Sequence, residues 1–412
     1  MNQDFFMRNR AHVASRVKDN SILILFSGKS VQKSADELYP FSVNRNFYYL
    51  TGLDYEGAIL LVEKKDAGVK ETLFIEAGSE HKEKWNGKML TSKEAKEISG
   101  VEQVKYLENF YPELERYLRT GKFTDVYLDL ERYGWNVAVS LEQSFAEEIK
   151  SKYPHILLND IYHQICELRT RKYPEEVELI RKALECANSG FQSMLSNTHI
   201  GVMEYELEAH FDFAIKRLGS KMAYAPIVGG GINATIMHYI KNNQEVKDGD
   251  LILADVGAEY HYYKSDITRT FPANGRFSAR QRKIYDIVLK AELDTIACIK
   301  PGVRHGYLNE VTCNVLAQGL RDLGVIVEDS ELEKYYFYNV SHYLGLDTHD
   351  VGAYDVLRPG MVLTVEPGIY LPDESLGIRI EDNVLVTEDG YEILSKDIIR
   401  TADEIEAFMA AR

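Results

Sequence analysis

The hydrophobic pattern changes character once along the chain. Up to about residue 165, apolar runs of strand length alternate with helical patterns. Ser21-Ile22-Leu23-Ile24-Leu25-Phe26, ended by Ser27-Gly28, is an unbroken apolar run of the kind a fully buried strand carries. Phe47 to Gly52, Ala58 to Val62 and Thr72 to Ile75 follow as further short runs, and helical periodicity appears over Tyr111 to Leu118 and Leu141 to Ile149. These elements predict a small α/β domain over residues 1–165.

Near Leu168 the pattern becomes helix-rich. Pro174 suits a first helical turn, Glu175 and Glu176 suit the positive end of its dipole, and Val177, Ile180, Ala183, Leu184 and Ala187 recur at helical spacing. Further helices are predicted over about Met203 to Leu218, after Ser278, and over about Tyr307 to Leu323. Strand-like runs lie between and after them. Residues 166–412 therefore read as a second domain, with helices packed around a largely antiparallel sheet.

Five of those runs place an acid or imidazole at or near an end. Asp255 closes Leu251-Ile252-Leu253-Ala254, and Asp266 opens Ile267-Thr268-Arg269-Thr270-Phe271. A hairpin turning near Tyr260-His261 sets the two directly opposite on one face, although no Asn-Gly marks the turn. His342 ends Tyr336-Phe337-Tyr338-Asn339-Val340-Ser341; if that run is a strand, Tyr338 shares its face. Glu366 ends Val362-Leu363-Thr364-Val365 before Pro367-Gly368. In Gly377-Ile378-Arg379-Ile380-Glu381, Arg379 and Glu381 point away from the isoleucines. Asp255, Asp266, His342, Glu366 and Glu381 form a hard, oxygen-rich set suited to divalent cations such as Mn²⁺ or Zn²⁺. Spacing alone leaves two readings open: a dinuclear metal site, or five ordinary surface charges.

Composition narrows the partners. The chain has 412 residues, enough for two domains and a large core. A net charge of −16 argues against nucleic acid and anionic membrane. Cys166, Cys186, Cys298 and Cys313 show neither CxxC spacing nor a dense disulfide framework, so they read as buried thiols in a reducing compartment. The first ten residues have no apolar core of a signal peptide, and no run is long enough to span a bilayer. A cytoplasmic protein is expected.

Leu253-Ala254-Asp255-Val256-Gly257, Ser265-Asp266-Ile267-Thr268-Arg269-Thr270-Phe271-Pro272, the stretch from Ser341 to Gly352, Val365-Glu366-Pro367-Gly368-Ile369-Tyr370 and Ile378-Arg379-Ile380-Glu381-Asp382-Asn383 closely resemble the pita-bread metallopeptidases, in the Xaa-Pro aminopeptidase (aminopeptidase P) and prolidase branch. The resemblance covers nearly the whole chain. Arg45 to Gly52 is similar to the amino-terminal domain of that branch. It implies two divalent ions, Mn most readily with Zn or Co as alternatives: Asp255 on one, His342 with Glu366 on the other, Asp266 and Glu381 bridging. Glu366 would also shuttle a proton to the leaving nitrogen, while His238 and His349 stabilise the tetrahedral intermediate. The activity implied is release of the residue preceding proline from small peptides, by a homodimer or homotetramer.

Four further positions carry expectations. Arg379 reads as a cation fixing a ligand carboxylate, and Tyr224 as a neighbour of the site or substrate. Trp85, in Trp85-Asn86-Gly87-Lys88, resembles the family loop whose Trp reaches a neighbouring subunit's active site; the alternative is a Trp half-buried on its own domain. Tyr338 departs from the family, which commonly has histidine four residues before the metal-binding one. A phenol donates a hydrogen bond but does not titrate near neutrality, so the P1′ pocket and pH profile are affected. The rivals are a prolidase confined to Xaa-Pro dipeptides, a methionine aminopeptidase, a creatinase-like amidinohydrolase and a non-catalytic binding protein on the same fold. The amino-terminal domain argues against the second, and the full ligand set against the last two.

Overall fold

The computed structural model describes residues 1–411. Two compact units divide the chain, Met1–Arg169 and Thr170–Arg412.

The amino-terminal unit opens with α1 (Gln3–Arg16), capped by the Asn2 side chain, which accepts from Phe5 N–H. β1 (Ser21–Phe26) takes the unbroken apolar run and is buried at all six positions. The hairpin β2 (Gln32–Ser34) and β3 (Glu37–Leu38) follows, then α2 (Arg45–Thr51), β4 (Ile59–Lys65), β5 (Gly68–Ile75), α3 (Glu80–Asn86), α4 (Ser92–Ser99), β6 (Gln103–Tyr106), α5 (Phe110–Arg119), β7 (Asp125–Leu128), α6 (Leu141–Lys152), β8 (Leu157–Asp160) and α7 (Tyr162–Thr170). A six-stranded sheet runs in the order β6-β5-β4-β1-β7-β8, with β1 antiparallel to β4 and parallel to β7. Phe26 and Phe74 of the sheet meet Phe110 of α5 and Phe145 of α6 in one apolar core. The Phe47 to Gly52 run, grouped with strands by its apolar content, forms α2 instead. Asn44 accepts from Phe47 N–H at its start and Gly52, in the left-handed conformation, ends it. Caps decide a run too short for periodicity to decide.

In the carboxy-terminal unit, α8 (Pro174–Ser196) starts on Pro174, with the Glu176 carboxylate accepting from Tyr173 N–H. α9 (Glu204–Lys216) packs on it. Next come β9 (Lys221–Met222), β10 (Ile227–Gly230), β11 (Leu251–Val256), β12 (Ala258–Tyr260), β13 (Tyr263–Lys264) and β14 (Ile267–Pro272). A second helix pair, α10 (Ala279–Ala297) and α11 (His305–Asp322), precedes β15 (Val362–Val365), β16 (Gly368–Leu371), β17 (Leu376–Arg379), β18 (Asp382–Val386), β19 (Tyr391–Ile393) and α12 (Ala402–Ala410). Each helix pair closes on a glycine. A Cβ at Gly190 would stand 2.6 Å from Phe211, and one at Gly319 2.6 Å from Ile287. The strand pairings of this unit are all antiparallel, as the helix-and-strand pattern predicts.

Two local expectations are corrected. Asp255 pairs with Thr268, so Asp266 lies two residues beyond the position directly opposite it, though on the same side of the ladder. The turn falls at His261 and Tyr262, which both have positive φ (48° and 69°) without glycine or asparagine; hence its weak signal. Tyr336 to Ser341 is irregular rather than a strand. Its backbone bonds go elsewhere: Val340 N–H to the Asn309 side chain, and its carbonyl to Glu366 N–H.

Candidate metal centre

β11, the segment before β14, the 338–342 loop, the β15–β16 turn and the β17–β18 junction converge on one cavity of about 850 Å³. Asp255, Asp266, His342, Glu366 and Glu381 all line it, with Tyr224, His238, Tyr338, His349 and Arg379. One ligand atom each of Asp266, His342 and Glu381 lies within 4.8 Å of the others. His342 Nε2 is 3.5 Å from Asp266 Oδ2 and 3.5 Å from Glu366 Oε1. Its Nδ1 faces the Tyr343 carbonyl at 3.0 Å, which turns Nε2 towards the acids.

The surrounding bonds hold these carboxylates in place. Tyr224 donates to Asp255 Oδ1 at 2.6 Å and also bonds Asp266. Arg379, fully buried, puts Nη2 2.5 Å from Asp255 Oδ2, Nη1 on Tyr370 and Nε on Thr268. Thr268 in turn donates to Glu381 Oε2 at 2.8 Å. Asn383 grips the Asp266 backbone from both sides, accepting from its N–H and donating to its carbonyl. Tyr338 donates to the Glu366 carbonyl at 2.8 Å and lies 3.2 Å from the Tyr370 hydroxyl. The His349 ring packs edge-on to His342, 4.2 Å between centroids. His238 stands exposed at the cavity mouth. Trp85 belongs to the amino-terminal unit, where it projects from the end of α3 with 78% of its surface exposed, so it is not half-buried on its own domain.

The electrostatics of this arrangement favour added positive charge. Burial pushes the Glu366 carboxyl up to about 8; His342 and Arg379 oppose the rise, and the Asp266 and Asp255 charges add to it. Burial and the neighbouring acids likewise raise Glu381 well above the carboxylate range. Burial would lower His342, yet the hydrogen bond to Asp266 and the charges of Glu366 and Asp266 hold it at about 9. Glu381 Oε1 is sealed from solvent with no hydrogen-bond partner. An orphaned carboxylate oxygen beside three more acids and an imidazole is the donor set a pair of hard divalent cations would satisfy.

Thr268, Tyr370, Asn383 and His305 were not singled out from the sequence. Thr268 was accessible by parity, since it shares a side with Asp266. The other three carry no pattern that separates them from ordinary core residues.

The fold and donor set define a two-domain metallopeptidase, in which an α/β domain precedes a pita-bread domain. Residues 178–388 match metallopeptidase family M24, and residues 6–127 match the aminopeptidase P N-terminal domain; the chain belongs to family M24. It is 34% identical to the Xaa-Pro aminopeptidase of Haemophilus influenzae, over 98% of this chain and 96% of that one. Its identity to the Escherichia coli Xaa-Pro aminopeptidase is also 34%, over 98% and 97%. The solved E. coli aminopeptidase P with the inhibitor Pro-Leu superposes with a TM-score of 0.92 at 32% identity, covering 100% of this chain and 99% of that one. A Bacillus anthracis structure provisionally assigned as an aminopeptidase P reaches 0.99 at 47% identity, with 100% and 99% covered.

Proposed function

We propose that the protein is an Xaa-Pro aminopeptidase, a hydrolase that releases the amino-terminal residue from small peptides with proline in second position. The observation that carries this reading is the crowding of three other acids and His342 around the unpaired Glu381 Oε1, together with relatives of that name aligned over nearly the whole chain. Asp255, Asp266, His342, Glu366 and Glu381 would hold two divalent cations, Mn²⁺ in the first instance, with Zn²⁺ or Co²⁺ as substitutes; a Zn-substituted E. coli aminopeptidase P is among the similar structures. Bound there, such ions supply Lewis-acid polarisation and a water acidified to near neutrality.

The chain's own groups do the rest. Glu366 takes a proton from the attacking water and passes it to the departing proline nitrogen, which as a secondary amine leaves poorly unprotonated. His238 and His349, on the cavity wall, donate to the oxygen of the scissile carbonyl as charge develops on it. Tyr224 and Arg379 keep Asp255 oriented, and Tyr338 braces the Glu366 backbone. Trp85 is read as a contribution to a neighbouring subunit of a homodimer or homotetramer; its exposure supports that role. A cytoplasmic location rests on the cysteines, which form no disulfide among the described residues. Among the described residues, no helix is long and apolar enough to cross a membrane.

A prolidase would use the same groups, so substrate length separates the two. The deciding assay compares Xaa-Pro with Xaa-Pro-Xaa in the presence of Mn²⁺, with Asp266→Ala as control. Cleavage confined to the dipeptide overturns the aminopeptidase reading. A protein that regains no peptidase activity with Mn²⁺, Co²⁺ or Zn²⁺ is instead a binding protein on this fold.

A further inference from the structure

His238 reaches the cavity from the loop between β10 and β11. Its imidazole is exposed, so the backbone beneath it decides where it stands. Apolar burial fixes that backbone at only a few points, Ala234 and Tyr239 among them. Ile232, Ile236 and Ile240, spread along the same loop, are 49%, 51% and 60% exposed. Polar bonds must supply the remaining order.

Most of them come from one side chain. Glu204, in the first turn of α9, is wholly buried, and its carboxylate accepts four bonds from the loop. Oε1 takes Gly230 N–H at 2.8 Å and Asn233 Nδ2 at 2.9 Å; Oε2 takes the Tyr239 hydroxyl at 2.8 Å and Gln244 N–H at 2.9 Å. A carboxylate has about four lone-pair sites, so the whole accepting capacity of this acid is taken up by the two ends and the middle of one loop. The helix start does not require it, because Glu206 accepts from Met203 N–H there. Tyr239, the residue after His238, has its ring in the apolar core beside Tyr370. One turn further along α9, Glu208 accepts from Asn242 Nδ2 at 2.8 Å, and Asn242 accepts from Val228 N–H. On its other side the loop lies so close to β17 that a Cβ at Gly377 would run into the Ala234 carbonyl. None of these bonds is made to the five metal donors.

We propose that Glu204 is a positioning residue: it clamps the 230–244 loop so that His238 is held ready for the oxygen of the scissile carbonyl. This rests on the aminopeptidase reading, which gives His238 that task, and adds the group by which His238 is placed. A donor fixed in advance needs no reorganisation as charge develops on the oxygen.

The test is a double-mutant cycle read in kinetics and in hydrogen exchange. Wild type, Glu204→Gln, His238→Ala and the double variant are loaded with Mn²⁺ and assayed on Xaa-Pro-Xaa. Glutamine keeps the volume but offers a single acceptor oxygen, so part of the clamp is lost. Tyr239→Phe, alone and with His238→Ala, removes only the bond beside His238 and decides the matter should Glu204→Gln fold poorly. Glu204→Gln should lower kcat about tenfold or more with KM within about twofold, as expected when a group acting in the transition state is misplaced. Tyr239→Phe should act in the same direction by a smaller factor. In the His238→Ala background neither should lower kcat further. Bound Mn²⁺ should equal that of wild type, and amide exchange should quicken in residues 230–244 but not in β11 or β14. Losses that multiply in the double variants, Mn²⁺ lost from Glu204→Gln, or loop exchange unchanged would overturn the inference and leave the aminopeptidase reading standing. A wild type that cleaves no proline peptide removes that reading instead, and the exchange result alone then upholds or overturns the clamp.

Discussion

Glu366→Gln in the metal-free protein tests the electrostatic claim most directly. In the folded chain burial, chiefly, pushes the Glu366 carboxyl up to about 8; unfolded, a glutamate titrates near about 4.3. The folded state thus holds this proton more tightly. Its contribution to stability is present in full below about pH 4.3 and is lost as pH rises towards 8. At about 1.36 kcal/mol per unit, Glu366 alone removes about 2 kcal/mol between pH 6 and 8. His342, held at about 9, acts in the same direction, because a raised imidazole loses its contribution as pH climbs from its unfolded value through 9. The assay is urea unfolding in excess chelator at pH 6 and pH 8. Wild type should be markedly less stable at the higher pH, and Glu366→Gln should shrink that loss by about 2 kcal/mol. Adding Mn²⁺ to the wild type should abolish the loss, since cations bind the ionised acids and stabilise by mass action. Equal pH losses in wild type and Glu366→Gln would refute the reasoning, because the carboxyl would then be ionising without strain.

Arg379→Met should destabilise the protein by about 3–5 kcal/mol, since Asp255 would be left buried with half of its pairing gone; denaturant midpoints check this, and a shift under 1 kcal/mol counts against it. Lys172 and Asp350, both buried and 2.8 Å apart, tie the start of the carboxy-terminal unit to the residue after His349. Lys172→Met and Asp350→Asn should each cost several kcal/mol, and in a double-mutant cycle the pair should cost much less than their sum. Tyr338→Phe should lower stability by about 1 kcal/mol through the bond to the Glu366 carbonyl. Burial lifts the Tyr338 hydroxyl well above its usual range, so the limbs of the pH–rate profile near neutrality should be the same in Tyr338→Phe.

What the residues alone determine here is a matter of periodicity and of chemical type. Continuous apolar or β-rich runs locate β1, β11 and β14, and a period of 3.6 locates the four long helices of the second unit, because burial on both faces of a strand, or on one face of a helix, forces those patterns. Side-chain chemistry marks five candidate metal donors, because acids adjoining apolar strands are costly without counter-charge. Only the tertiary structure decides the rest. Two left-handed residues without a glycine move the β12–β13 turn by one position and so shift the Asp255–Asp266 register by two. The 336–341 run loses its strand because Asn309, some thirty residues earlier, takes the backbone bond a ladder would have used. Glu381 is left with one unpaired oxygen, and His305 becomes a wall of the same cavity, through packing among segments far apart in the chain. Local pattern cannot encode such encounters, since each depends on which distant group arrives to fill or to leave open the last hydrogen bond.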